Sequence, residues 1–224
     1  MDKFTSSLPD KPDEKEMPAV MLALVSTARV SNLTQTTHNQ AILDSVMRKR
    51  AVHRIVNFSS SIMHVLNPRM YEMYEYTLTK LCDRDPSLCR NFPGNPFAAA
   101  TFNVGQHAVA YGHTDHLNVP NGWCTITAIG KFDSARGGHL ILWNLKLVIE
   151  FPTGSTILIP SALLKHSNTH LHDPENEFQY SFVQYSAGGL FQWSAGRHFL
   201  QTGKERWERG MKVFSKWAKL FPGR

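Results

Sequence analysis

From residue 38 onward, the stretch HNQAILDSVMRKRAVHRIVNFSSSIMHVL places Ile42, Val46, Ile55, Phe58 and Ile62 at mostly helical spacing. The pattern predicts an amphipathic helix that ends before Asn67-Pro68, because proline pushes the residue ahead of it out of the helical region. A second helix is predicted over RMYEMYEYTLTKLCDR, with Met70, Met73, Tyr74, Leu78 and Leu81 on one side. After the turn-rich NFPGNPF the texture changes to short apolar runs divided by Gly, Pro, Asn and Asp. The runs AAATFNV, HAVAYGH, WCTITAIGKF, HLILWNL, LVIEF, STILIPS and QYSFVQYSA read as strands of an antiparallel β domain. Their number and spacing fit a sandwich, a barrel or a jelly roll.

The C-terminal GKERWERGMKVFSKWAKLF returns to helical periodicity, with Trp207, Met211, Phe214 and Leu220 close to one stripe. Arg206, Arg209, Lys212, Lys216 and Lys219 occupy the remainder, so the stripe packs on the sheet and the cationic face meets solvent or phosphates. The first 18 residues carry almost no apolar side chains and are expected to form a disordered tail. The expected organisation is therefore tail 1–18, helical layer 19–95, β core 96–193 and basic helix 194–224.

With 224 residues, 42% of them hydrophobic, the chain can bury one full core with a small helical cap. The polar start MDKFTSSLPDKPDEKEMP is unlike a secretory signal, and no apolar run reaches the roughly 18 residues that span a bilayer. An intracellular protein with no membrane partner is expected. Three cysteines without C-x-x-C spacing argue against a disulfide framework and a structural zinc. The net charge of +6 fits a polyanionic partner such as nucleic acid, although many basic proteins never touch DNA.

The stretch YGHTDHLNVPNGWCTIT carries the candidate chemistry. In an extended chain, side chains two apart share a side, so His113 and Asp115 can present an imidazole and a carboxylate to one point. A histidine from a neighbouring strand would complete a two-histidine, one-carboxylate triad suited to non-haem Fe(II). His166, after STILIPSALLK, is the best candidate; His116, His170 and His172 are rivals, and His139 is either a buried histidine or a further cavity residue. An H-x-D pair alone is common in a chain with eleven histidines. There is no G-x-S-x-G elbow, P-loop, G-x-G-x-x-G or zinc-deaminase motif, so hydrolase, NTPase, dinucleotide and deaminase readings lack their signatures.

HTDHLNVPNGWCTITAIG, RGGHLILWNLKLVIEFPTGSTILIPSALLKHSNT and QYSFVQYSAGGLFQW resemble the core of the fungal TET/JBP-type Fe(II)/2-oxoglutarate dioxygenases, over roughly residues 97 to 193. The resemblance implies an α+β chain with a double-stranded β-helix (jelly-roll) core between the N-terminal helices and the C-terminal basic helix. It implies Fe(II) held by His113, Asp115 and His166, with 2-oxoglutarate as co-substrate, contacted by His139, Ser181 and the residue at 179, and O2 as oxidant. Asn118 then reads a flipped base and Tyr185 stacks on it. The implied partner is DNA carrying a methylated base, the implied location the nucleus and the expected state a monomer. The base is 5-methylcytosine, N6-methyladenine or thymine.

The chain departs from the family where an arginine normally clamps the distal carboxylate of 2-oxoglutarate, since Gln179 stands there. Gln192 likewise replaces an arginine before Trp193, and Ala187 replaces a histidine that several TET enzymes hold near the base. Exchanging a charge-assisted bidentate pair for a neutral amide costs about 2 to 4 kcal/mol, or roughly 30- to 1,000-fold in binding, unless compensated. Lys131 and Arg197 are candidate compensating cations, whereas Lys165 should face away from His166. Two expectations follow: an active nucleobase dioxygenase with a relocated anchor, or a catalytically impaired paralogue that binds DNA or protein.

Overall fold

The computed structural model describes residues 19–22, 41, 44–104, 109–194, 208 and 211–212. Helix α1 spans Arg50–Leu66 and α2 spans Pro68–Arg84, divided at Asn67 (φ −147°, ψ 71°). Proline occupies the first position of α2, where its missing N–H costs nothing. The buried residues of α2 (Met70, Tyr74, Thr77, Leu78 and Leu81) follow the periodicity, with Met73 partly buried against the same cluster. Each large apolar side chain so buried stabilises the fold by about 1.5–3 kcal/mol.

The predicted stripe of the first helix is corrected in two ways. Lys49 is extended (φ −70°, ψ 127°), so the helical turn at residues 44–47 does not run into α1. The buried face of α1 is Val56, Ser59, Ser60 and Met63, while Phe58 is 54% exposed. Two serines can occupy a core-facing stripe because their hydroxyls are satisfied: Ser59 Oγ donates to Ile55 O (2.9 Å) and Ser60 Oγ to Asn95 Oδ1 (3.4 Å).

The strands are β1 (Ala19–Leu22), β2 (Ala99–Asn103), β3 (Cys124–Lys131), β4 (Leu140–Leu142), β5 (Leu147–Ile149), β6 (Thr156–Ile159), β7 (His166–Asn168) and β8 (Phe178–Tyr185). They form a five-stranded sheet ordered β1-β2-β8-β3-β6 and a three-stranded sheet ordered β5-β4-β7, with every pairing antiparallel. Strand β1 lies where the pattern placed only helix. HLILWNL is strand only to Leu142: a 3₁₀ turn at Trp143–Leu145 and Lys146 in the left-handed region (φ 55°) turn the chain into β5. In HAVAYGH, residues 107–108 lie outside the described residues and 109–112 form no strand. There Asn168 N donates to Ala110 O (3.2 Å) as in a ladder, but Ala110 N donates to the Asn168 side chain in place of its carbonyl, and a full bridge to β7 forms at His113. A short helix, α3 (Gly188–Ser194), follows β8 and sets Phe191 5.1 Å from the Tyr74 ring. Of the predicted C-terminal helix, residues 208 and 211–212 are helical and the rest lies outside the described residues, as does the predicted tail 1–18.

Strand β8 divides the molecule. Phe182 packs with Val56, Phe92, Ala100 and Phe102 beneath the helices. On the other side, Gln179, Ser181, Val183 and Tyr185 alternate along the wall of a cavity. Cys124, Ala128 and Ile159 of the larger sheet meet Leu140 and Leu142 of the smaller one, so the two sheets face each other.

Fully buried Gln184 joins the layers: its Oε1 accepts from Asn95 Nδ2 (2.6 Å) and its Nε2 donates to Thr125 Oγ1 (3.2 Å). Asn95 Oδ1 in turn accepts from Phe97 N (3.1 Å) and Ser60 Oγ (3.4 Å). Removing a shared partner strands several buried groups at once. Asn95→Ala is expected to lower unfolding free energy by about 2–4 kcal/mol in urea denaturation. A loss within experimental error would show that the network contributes nothing.

Candidate metal centre

His113 and His166 are held by two backbone hydrogen bonds to each other, His113 N to His166 O (3.1 Å) and His166 N to His113 O (2.9 Å). Their rings lie 4.4 Å apart between centroids. Asp115, two residues after His113, is fixed by its own N–H donating to Ser161 O (3.0 Å), just beyond β6. Both imidazoles are oriented alike: His113 Nδ1 lies 2.6 Å from Tyr111 O, and His166 Nδ1 lies 2.8 Å from Leu164 O. A carbonyl only accepts, so Nδ1 carries a proton and, in the neutral ring, Nε2 presents its lone pair. These Nε2 atoms lie 3.5 Å (His113) and 4.0 Å (His166) from the Asp115 carboxylate oxygens. All three donors fall within 4.8 Å of one another, the metal-capable cluster found among the described residues.

The charges are arranged around the carboxylate. Burial alone would raise Asp115, but contacts with His113 and Ser161 and the two imidazoles hold it below the usual carboxylate range. The Asp115 contact raises His113 despite opposing desolvation, and burial, aided by His113, lowers His166. At neutral pH the cluster therefore contains an ionised carboxylate, a neutral His166 and a His113 that retains a proton more readily than an ordinary histidine. Burial pushes the nearby Cys124 thiol up to about 12, which keeps it protonated and unsuited to metal.

The triad lies on the wall of a cavity of about 790 Å³ with Asn118, Gln179, Ser181 and Tyr185. Asn118 Nδ2 donates to Asp115 Oδ2 (3.3 Å) and Ser161 Oγ (3.1 Å), so this side chain steadies the carboxylate. Burial raises the Tyr185 hydroxyl, partly offset by a bond with Thr101. His139 is outside the cavity lining: its main chain and Thr169 bond each other, and its Nδ1 lies 3.3 Å from Thr169 Oγ1. His116 reaches the cavity but not the ligand cluster; His170 and His172 reach neither, and His172 contacts Arg136.

Among the described residues, no lysine or arginine lines the cavity. Lys131 is exposed at the end of β3, Lys165 lies 5.9 Å over the Trp143 ring and Arg197 is outside the described residues. Ser161, Asn168, Asn103 and the 73% exposed Leu117 were not singled out by the sequence, yet they bond to or line the site. The period of two from His166 would have found Asn168; nothing in the pattern marks Ser161.

Antiparallel sheets face each other, backed by helices, with this cluster on the wall of the cavity. No protein-family model matches the chain, and no curated protein matches its sequence. Among solved structures, the chain is similar to NgTET1 in complex with 5mC DNA, with a TM-score of 0.53 and 14% sequence identity. The match covers 94% of this chain and 74% of that one. No helix among the described residues is long and apolar enough to cross a membrane.

Asp115→Ala is expected to weaken Mn(II) binding by at least about 100-fold in calorimetry, and unchanged affinity would remove Asp115 from the ligand set. Metal must displace the proton that Asp115 favours on His113. Below the raised His113 pKa, affinity is therefore expected to fall by up to about tenfold per pH unit, and to level off above it. A flat titration from pH 8 to pH 6 would contradict this order of ionisation.

Proposed function

We propose that this protein is an Fe(II)- and 2-oxo acid-dependent dioxygenase, 2-oxoglutarate being the acid that the resemblance implies, that oxidises a methyl group on a nucleobase in DNA. The observation that carries the reading is the convergence of His113 Nε2, His166 Nε2 and the Asp115 carboxylate on the wall of one large cavity. Two neutral imidazoles and one carboxylate suit Fe(II) and leave positions for small ligands. In this reading the two facing sheets form a double-stranded β-helix. When bound, the iron supplies the activation of O2 and the 2-oxo acid that C–H oxidation requires.

The chain's own residues then position the reactants. Nδ1–H bonds to Tyr111 O and Leu164 O keep both imidazoles aimed, and Asn118 keeps the carboxylate turned. With its amide donors used on Asp115 and Ser161, Asn118 has Oδ1 to accept from an exocyclic amino group of a flipped base. Tyr185 supplies a ring for stacking from the same wall, and Ser181 and Gln179 the polar contacts to the co-substrate. His139 is a weaker co-substrate contact in this reading, because it lies outside the lining. The apolar remainder, including Ile126, Leu140, Phe151 and Val183, excludes water from the reacting groups.

The DNA in the NgTET1 structure and the +6 charge of this chain support duplex DNA as the partner, and with it a nuclear location. The base is 5-methylcytosine first, with N6-methyladenine and thymine as alternatives. A second reading, a catalytically impaired paralogue that binds DNA or protein, is favoured by the absence of lysine and arginine from the described cavity wall.

Purified protein with Fe(II), O2, a 2-oxo acid and duplexes carrying each base separates the two readings by mass spectrometry of the nucleosides. Hydroxymethylated or further oxidised base, absent when metal or 2-oxo acid is omitted, is expected. Duplex binding without oxidised base, whichever 2-oxo acid is supplied, would establish the paralogue instead.

A further inference from the structure

Asn168 lies two positions along β7 from His166 and so about 7 Å further on, on the same face of the strand. There the side chains form a relay. Asn168 Oδ1 accepts from Ala110 N, Asn168 Nδ2 donates to Gln179 Oε1 (3.3 Å), and Gln179 Nε2 donates to Gly138 O (2.9 Å). Gln179 is only 7% exposed, and a Cβ at Gly138, whose φ is +67°, would lie 2.9 Å from Gln179 Nε2, so the amide is closely confined. Two residues along β8, Ser181 Oγ accepts from Asn103 Nδ2 (2.8 Å). Asn103, Asn168, Gln179 and Ser181 all line the cavity.

This end of the cavity thus offers amides and a hydroxyl, with no cation among the described lining residues. A carboxylate placed here would be desolvated without an opposite charge from any described residue and would meet amide carbonyls as well as donors. An uncharged polar group would accept the same hydrogen bonds without that cost.

We propose that the cavity selects a 2-oxo acid whose far end is polar but uncharged over the dicarboxylate 2-oxoglutarate. The inference rests on the metal-site reading above and deepens it by naming the class of co-substrate. It makes Gln179 a specificity-determining residue rather than a damaged anchor, with Asn168 and Gly138 holding its amide.

The test is calorimetric titration of Mn(II)-loaded protein, without DNA, with 2-oxoglutarate and separately with its 5-methyl ester, which removes the far charge and adds one methyl group. The ester is expected to bind about tenfold or more tightly than the dicarboxylate. Gln179→Arg is expected to reverse the order. Equal or tighter binding of 2-oxoglutarate by the wild-type protein, or binding of neither acid, would overturn the proposal, and this comparison stands whether or not the variant folds. Failure of the protein to take up Mn(II) would refute the metal site itself and this selectivity with it. Normal Mn(II) uptake with preference for the dicarboxylate would refute the selectivity alone.

Discussion

The pair of backbone hydrogen bonds between His113 and His166, at 3.1 and 2.9 Å, does for the site what a ladder does for a sheet. It ties a loop residue to the short strand β7 and brings together two imidazoles 53 positions apart in sequence. The remaining geometry is built outward from this bridge. Asp115 is carried along two residues later, Ser161 fixes its backbone, and Asn118 turns its carboxylate. Because each Nδ1 is bonded to a carbonyl two residues upstream, the rings cannot exchange donor atoms without breaking those bonds. The structure thus spends main-chain hydrogen bonds, the least variable part of any chain, on orienting the groups that chemistry would use.

Around this cluster the protein is electrostatically spare. One carboxylate and three imidazoles, those of His113, His116 and His166, line a cavity with no lysine or arginine among the described residues, while the basic side chains of the β core, such as Lys131 and Lys165, lie on its outside. The described basic side chains therefore act on a polyanion from outside the pocket, at long range. Within the pocket, discrimination falls to hydrogen-bond matching. The relay from Ala110 through Asn168 and Gln179 to Gly138 is one such set.

Much of this was legible in the residues. The helical period of α2, the alternation along β8 and the pairing of His113 with Asp115 are local rules, and the structure follows them. The choice of His166 over His116, His170 and His172 came first from strand position and then from resemblance. The structure brings His166, and none of those rivals, into one cluster with His113 and Asp115. What the pattern missed depends on side chains replacing expected roles. Ser59 and Ser60 are buried in α1 in place of Phe58, and the Asn168 amide takes one of the two bonds of a strand rung with Ala110. Gln184 and Asn95 are buried polar groups that no hydrophobicity pattern marks, since their burial is made possible only by partners distant in sequence. His139 belongs to the same class: it follows two glycines at the edge of an apolar strand, but its partner is Thr169 and not the cavity.

The most direct check is long-range nitrogen–proton NMR of the imidazoles, recorded on metal-free protein and after one equivalent of Zn(II). His113 and His166 are expected to be Nδ1–H tautomers once His113 is deprotonated, and Zn(II) is expected to shift their Nε2 resonances while leaving the other nine of eleven histidines in place. A Zn(II) response at His116, His139, His170 or His172 in their stead, or the opposite tautomer at either ligand, would contradict the site described.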